Sequence, residues 1–403
     1  VLGDRQRPRQ FFRFGKDQYG RDLAITADTA QIIAIMGATG YGKTHMERVI
    51  AEGVSFHMPG LNCLDGPQRV ILSEIDYSRG RTRRQMLSQF FANPDPQQLH
   101  QLEQDYGYRA DGDEHFHDGT LFCFPEAVDR LKVELARYCE RGLVIRPIEL
   151  GLGDLNAVAY RAFLLHASGA SDGGRAAYWG TVEALIAECG DHLRPAELAE
   201  QIRKTTLRCD VKDPLIRMLK LLDKLVKPEA RLNDVLRQPR PVFTLLESSV
   251  YSPELLLPTL HIIENALRRP LRDGTSPRRW MINDEHHKRA GNAVVDGGNR
   301  ESAQERRHGL DSLVIDCQRP SGLDRAFLAG ATIVMVFRLL SRKEIRVVKD
   351  CYAMLESIPD EVFLNLRPGQ CVVAAMESTG SDEVYIVNVR PTASYAGGET
   401  LRG

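Results

Sequence analysis

The sequence lacks any run approaching the roughly eighteen apolar residues that a membrane-spanning helix needs, so no membrane segment is expected. It also lacks a C-x-x-C pair. Its eight cysteines (Cys63, Cys123, Cys139, Cys189, Cys209, Cys317, Cys351 and Cys371) are dispersed, which argues against a disulfide framework and a thiolate zinc site. Such usage, with no signal-peptide pattern, fits a reducing cytoplasm. Charge of either sign is not in excess. A net charge of −1 offers no global attraction to nucleic acid, so such contact must come from local basic patches. Aromatic residues are only 7% and are not interleaved with the basic runs, so base stacking is not signalled. Internal repeats and low-complexity tracts are absent. What remains, 403 residues with 43% hydrophobic and 27% charged, is an ordinary globular composition with enough chain for a large core.

Within that composition one motif stands out. Gly37-Ala38-Thr39-Gly40-Tyr41-Gly42-Lys43-Thr44 satisfies the phosphate-loop pattern G-x-x-x-x-G-K-[ST]. A strand-length apolar run, residues 32–36, precedes it, and a helix-compatible stretch, 45–54, follows. That order aims backbone N–H groups at phosphate oxygens. Gly37, Gly40 and Gly42 let the backbone turn and approach closely. Lys43 brings a cation to the β and γ oxygens, and the Thr44 hydroxyl can ligate Mg²⁺. Residues 280–285 read as a second strand ending in two carboxylates. Asp284 is expected to hold the metal's outer shell, and Glu285 to deprotonate the attacking water. ATP and Mg²⁺ are therefore the expected cofactors.

Periodicity organises the rest. Residues 11–25 read as a hairpin, and apolar runs at 70–77, 121–124 and 143–148 as further strands. From 154 to 235 the pattern turns helical: Tyr160, Phe163, Leu164 and Ala167 share one face, as do Leu215, Met218, Leu222 and Leu225. Strands at 242–246, 281–282, 312–315 and 332–337 then alternate with a helix at 253–267 and a Gly-rich loop at 291–299. Residues 371–375 and 384–389 flank hairpin chemistry. The expected fold is α/β: a mostly parallel central sheet, an inserted helical subdomain and a C-terminal β-hairpin. The expected division is an N-terminal hairpin arm (1–25), a nucleotide core in two parts (26–153 and 236–403), and the helical subdomain (154–235).

Residues 300–340 read RESAQERRHGLDSLVIDCQRPSGLDRAFLAGATIVMVFRLL. A helix with two arginines, then G-L, an apolar strand, Q-R-P and another strand resembles the HerA/FtsK superfamily of ring-forming ATPases, which includes conjugative and type IV secretion ATPases. Asp284-Glu285-His286 and Leu366-Arg367-Pro368-Gly369-Gln370 look most like HerA. The resemblance spans most of 25–390, but only the phosphate loop, the acid pair and Q-R-P are sharp. Tyr41 stands where a small residue is common, Asn283 where an apolar one is usual, and the family's N-terminal β-barrel is absent. The resemblance implies a RecA-like fold with the Gln318 strand between the phosphate-loop strand and the acidic strand. Gln318 would then reach the γ-phosphate or lytic water. It also implies an arginine acting on a neighbouring subunit's nucleotide; Arg306 and Arg307 are the candidates, with Arg338 and Arg342 competing. A solvated helix face is the alternative for the pair.

Two basic runs could grip a phosphate backbone. Arg79, Arg81, Arg83 and Arg84 fall within six residues after a strand end; Arg268, Arg269, Arg272, Arg278 and Arg279 form the second. The segment 111–118, with His115 and His117, reads as a solvated polar loop and not a metal site. Asp284-Glu285-His286-His287 lacks the zincin order. Taken together, the sequence reads as a homo-hexameric RecA-like P-loop motor moving double-stranded DNA beside a nuclease or other effector subunit, in DNA end processing or phage defence. A secretion or conjugation ATPase and a nucleotide-timed assembly scaffold are the alternatives.

Overall fold

The protein is described by a computed structural model covering residues 2, 9–76, 85–110, 115–155, 160, 163–164, 180–187, 193–230, 232, 240–250, 253–268, 278–283, 311–322, 328–375 and 384–395. The apolar runs pair into one sheet. In chain order its strands are β1 (Phe11–Asp17), β2 (Asp22–Thr26), β3 (Ile32–Met36), β4 (Asn62–Cys63), β5 (Arg69–Asp76), β6 (Gly119–Cys123), β7 (Leu143–Pro147), β8 (Val242–Glu247), β9 (Arg279–Asn283), β10 (Asp311–Cys317), β11 (Ile333–Val336), β12 (Gln370–Ala375) and β13 (Val384–Val389). The spatial order is β2-β1-β13-β12-β11-β3-β10-β9-β5-β8-β6-β7, with β4 paired to β1. The block from β11 to β7 is parallel throughout. Beyond β11 the pairing turns antiparallel through β12, β13, β1 and β2. Both expected hairpins are present, β1 with β2 and β12 with β13.

Sheets covered on both faces need strands that are apolar on both sides. In β3, Ile32, Ala34 and Met36 enter one buried cluster, while Ile33 and Ile35 enter the other. Strand β11 divides in the same way, Val334 and Val336 against Ile333 and Met335. Helix α1 (Lys43–Ser55) covers the second face with Met46, Val49, Ile50 and Val54. Helix α2 (Pro96–Tyr106) is fixed locally: Asp95 accepts from the amides of Gln97 and Gln98, Pro96 opens the first turn, and Gly107 ends it with φ 66°.

Helices α3 (Pro195–Lys204) and α4 (Cys209–Asp223) follow β7 in the chain, within the stretch read as helical. Their apolar faces, through Leu198, Ile202, Leu215 and Leu219, join the buried cluster that contains Ile32 and Met36. These helices therefore do not carry a core separate from the sheet's. Helix α5 (Pro253–Arg268) adds Leu256, Leu260, Ile263 and Leu267 to the same face. Helices α6 (Arg342–Cys351) and α7 (Asp360–Asn365) connect β11 to β12. Among the described residues no helix is long and apolar enough to cross a membrane.

Candidate functional site: a phosphate loop at the centre of the sheet

Strand β3 lies between β10 and β11, so the loop leaving it is flanked by two strand ends. The amide of Gly37 donates to the Cys317 carbonyl (3.1 Å) and that of Ala38 to the Arg338 carbonyl (2.8 Å), tying the loop to both neighbours. Gly37 has φ 148°, and a Cβ there would sit 2.7 Å from Cβ of Phe337, closer than packed atoms allow. Gly42 has φ 112°, and a Cβ would meet Phe337 at 3.2 Å and the Gly369 amide at 3.3 Å. The loop can follow this path only with glycine at these places. Its crown, Thr39 and Gly40, is exposed. Helix α1 starts with no side-chain cap on its N-terminal residue and no acidic residue in its first turn. Such an end presents backbone donors and a positive dipole to an anion.

Lys43 is buried, and its Nζ lies 3.6 Å from Oδ2 of the equally buried Asp316. Asp316 comes from β10, one residue before the carbonyl that holds Gly37. Gln318 follows directly, half-buried at the same sheet edge. The expected strand placement is observed: β10 separates β3 from β9. Its residue Ile315 is paired with Asn283, the last residue of β9. Asn283 is buried, and its Oδ1 has no hydrogen-bond partner among the described residues. An orphaned buried acceptor is costly and concentrates at functional sites. Beyond Gln318, Ser321 donates its amide (2.8 Å) and hydroxyl (2.6 Å) to Glu344, linking the Q-R-P turn to α6.

Tyr41, the unusual loop residue, has a structural role. Arg338 donates Nη1 to its hydroxyl at 2.6 Å and lies over its ring, 5.1 Å from the centroid. The Tyr41 carbonyl accepts from Gly369 (3.0 Å), in the loop just before β12. A side chain too large for a bare turn thus packs the phosphate loop against β11 and the C-terminal hairpin.

The far end of α1 is anchored by charge. Glu52 is fully buried and takes Arg390, the amides of Ala393 (3.2 Å) and Ser394 (3.0 Å), and the Ser394 hydroxyl (2.8 Å). The ring of His45, next to Thr44, contacts the Arg390 carbonyl at 2.8 Å. Burial pushes the His45 pKa below its ordinary value, although that carbonyl and Glu52 oppose the shift.

The remaining sequence candidates divide. Asp284, Glu285, Arg306, Arg307 and the run Arg79, Arg81, Arg83 and Arg84 lie outside the described residues. Arg338 engages its own chain's loop, and exposed Arg342 lies 3.4 Å from Glu361. In the second basic run one residue is buried and another is tied to the backbone. Arg279 is buried and paired with Asp311, and Arg278 donates to the Ala27 carbonyl (2.8 Å). His115 is not in a solvated loop. It is buried beside Arg141 (3.1 Å), because Phe116 next to it packs against Phe90 and Phe243. Among the described residues no cluster could hold a metal through His, Cys, Asp and Glu alone. Asp316 escaped the sequence as a site residue, and Arg338 was a candidate only for a neighbour's nucleotide, not for the loop of its own chain. The only signal for Asp316 was a charge ending an otherwise buried-type strand.

No protein-family model and no curated protein matches the chain. Solved structures do. The chain is similar to VirB4 of Thermoanaerobacter pseudethanolicus, with TM-score 0.53 and 14% identity over 96% of this chain and 97% of that one. It is similar to the plasmid coupling protein TrwB in complex with ADP and Mg²⁺, with TM-score 0.55 and 13% identity over 98% of each chain. It is also similar to TrwB bound to a non-hydrolysable GTP analogue, with TM-score 0.52 and 13% identity over 98% of this chain and 99% of that one. The chain has the RecA-like P-loop fold that these structures share.

Proposed function

We propose that this chain is a P-loop ATPase, assembled as a homo-hexameric ring, that uses ATP and Mg²⁺ to drive double-stranded DNA through its pore. The observation that carries the reading is the glycine-built loop opening α1 at a strand end, with Lys43 inside it and the Gln318 strand beside it. The groups present fit a metal-bound triphosphate. The loop crowds a Cβ at Gly37 and Gly42, the helix end is uncapped, and Asn283, whose Oδ1 has no partner among the described residues, immediately precedes the acid pair in sequence.

In this reading the loop amides and the α1 dipole hold the phosphates, and Lys43 balances charge on the β and γ oxygens. Thr44 and Asp284 would hold Mg²⁺, which would supply further neutralisation of the phosphate charge. Glu285 takes the proton of the attacking water, and Gln318 orients that water at the γ-phosphate. Movement of Gln318 on hydrolysis would reach α6 through the Ser321–Glu344 link. Arg306 or Arg307 acts on the neighbour's nucleotide, so the ring is the catalytic unit. Arg79, Arg81, Arg83 and Arg84 grip DNA phosphates without reading sequence. A separate nuclease or effector subunit would use the motion, in DNA end processing or phage defence.

The test is ATP turnover with and without duplex DNA across a salt series. Stimulation that fades steeply as salt rises is expected; indifference to DNA at every salt concentration rejects translocation. Mixing Arg307→Ala with Lys43→Ala chains tests the shared site: a trans role predicts turnover above that of either variant alone, because a Lys43→Ala subunit still lends Arg307 to its neighbour's intact loop, and no recovery rejects that role. A second reading, a secretion or conjugation ATPase moving protein or pilus cargo, is supported by full-length likeness to VirB4 and TrwB. DNA-independent turnover favours it.

A further inference from the structure

Asp316 places a buried carboxylate 3.6 Å from the cation that the phosphate loop provides. The neighbouring elements explain why it is fixed there. Alternate residues of β10, Leu313, Ile315 and Cys317, join the buried cluster on one face, so Asp316 and Val314 turn to the face covered by α1. The Gly37–Cys317 bond locks the next residue to the loop. Asp316 cannot move away without breaking sheet register, and it is 1% exposed, so water does not screen it.

We infer that Asp316 is a positioning counter-charge that makes this loop's affinity for polyphosphate conditional on a divalent cation. The inference rests on the nucleotide reading of the loop. A nucleoside triphosphate brings several negative charges to Lys43, whose own charge Asp316 already offsets. Without a divalent cation, phosphate oxygens and Asp316 compete for one ammonium and repel each other. A like charge about 5 Å away in such surroundings weakens binding on the order of a hundredfold. A divalent cation bound with the phosphates would offset most of that repulsion. Lys43 is then released to the β and γ oxygens. The carboxylate thus selects the metal-bound form of the nucleotide over the free form, before any chemistry occurs.

The test is equilibrium binding of ATP to the full chain in Mg²⁺ and in EDTA, for wild type, Asp316→Asn and Asp316→Ser. In wild type, Mg²⁺ is expected to tighten binding on the order of a hundredfold. In either variant, affinity in EDTA should rise about tenfold or more while affinity in Mg²⁺ changes little, so the ratio collapses. A variant ratio equal to that of wild type overturns this inference alone. Wild type that binds ATP in neither condition overturns the nucleotide reading and this inference with it. Inorganic tripolyphosphate gives a readout that needs no variant. It should displace a fluorescent nucleotide from wild type far better with Mg²⁺ than in EDTA, and equal displacement overturns the inference.

Discussion

The guanidinium of Arg338 lies over the Tyr41 ring and donates to its hydroxyl at 2.6 Å, joining the strand after the Q-R-P turn to the phosphate loop of the same chain. This fastening crosses 297 residues of sequence. It gives the loop a rigidity that the glycines alone would not supply. Arg338→Ala removes both the cation–π contact, worth roughly 0.5–2 kcal/mol, and the hydrogen bond. Tyr41→Phe removes only the bond, about 1 kcal/mol. Nucleotide affinity should therefore fall more in the first variant than in the second. Mixing Arg338→Ala with Lys43→Ala chains should not restore turnover, because Arg338 serves its own loop. Recovery in that mixture would count against the placement.

Replacing Gly37 tests the loop's geometry directly. Gly37→Ala puts a methyl 2.7 Å from Cβ of Phe337 at a backbone angle that L residues rarely adopt. A cost of roughly 1–3 kcal/mol is expected in urea unfolding, with nucleotide binding lost. Gly40 offers a control that also has positive φ, 85°. A Cβ there meets nothing within 4 Å, so Gly40→Ala should cost less. Equal losses would mean that backbone strain alone, and not the approach to Phe337, sets the requirement.

The Arg390–Glu52 pair should behave as a buried ion pair that tolerates no half-removal. Glu52→Gln strands a guanidinium whose Nη2 already has no partner, and about 3–5 kcal/mol of stability should be lost. The same change weakens the hold on Ala393 and Ser394. Protease nicking of the C-terminal segment should accelerate in step with the loss of stability. A stable variant with an intact tail would show that the pair is dispensable.

His45 sets a pH response. Its folded pKa lies below the ordinary 6.5, so the unfolded chain takes up a proton more readily than the folded one. The associated stability is complete above about pH 6.5 and is lost as pH falls through the lower folded value. The melting temperature should drop on acidification below that point, and His45→Gln should flatten the drop. An unchanged slope in the variant would assign the acid sensitivity to other groups.

The fold was legible in the sequence where its causes are local or periodic. A glycine loop needs positive φ whatever surrounds it, and a strand buried on both faces must be apolar throughout; both demands were visible at Gly37–Thr44 and in residues 32–36, 313–315 and 333–336. Helix α2 was not read from the sequence, although Asp95, Pro96 and Gly107 fix its ends locally. Contacts across the sheet were not legible, because they depend on strand order and register. Neither the charge at 316 nor that at 338 marks its partner in the sequence. The misreadings have the same origin: Arg279 looked like part of a surface run until β9 and β10 paired it with Asp311, and His115 looked solvated until Phe116 drew it inward. The sequence by itself determined that this chain has a phosphate loop on a parallel sheet, since those features follow from backbone conformation and residue spacing. Tertiary structure decided which charges share that loop. Two buried groups attract strongly only when close in a medium that excludes water, and packing alone brought Asp316 to Lys43 and Arg338 to Tyr41.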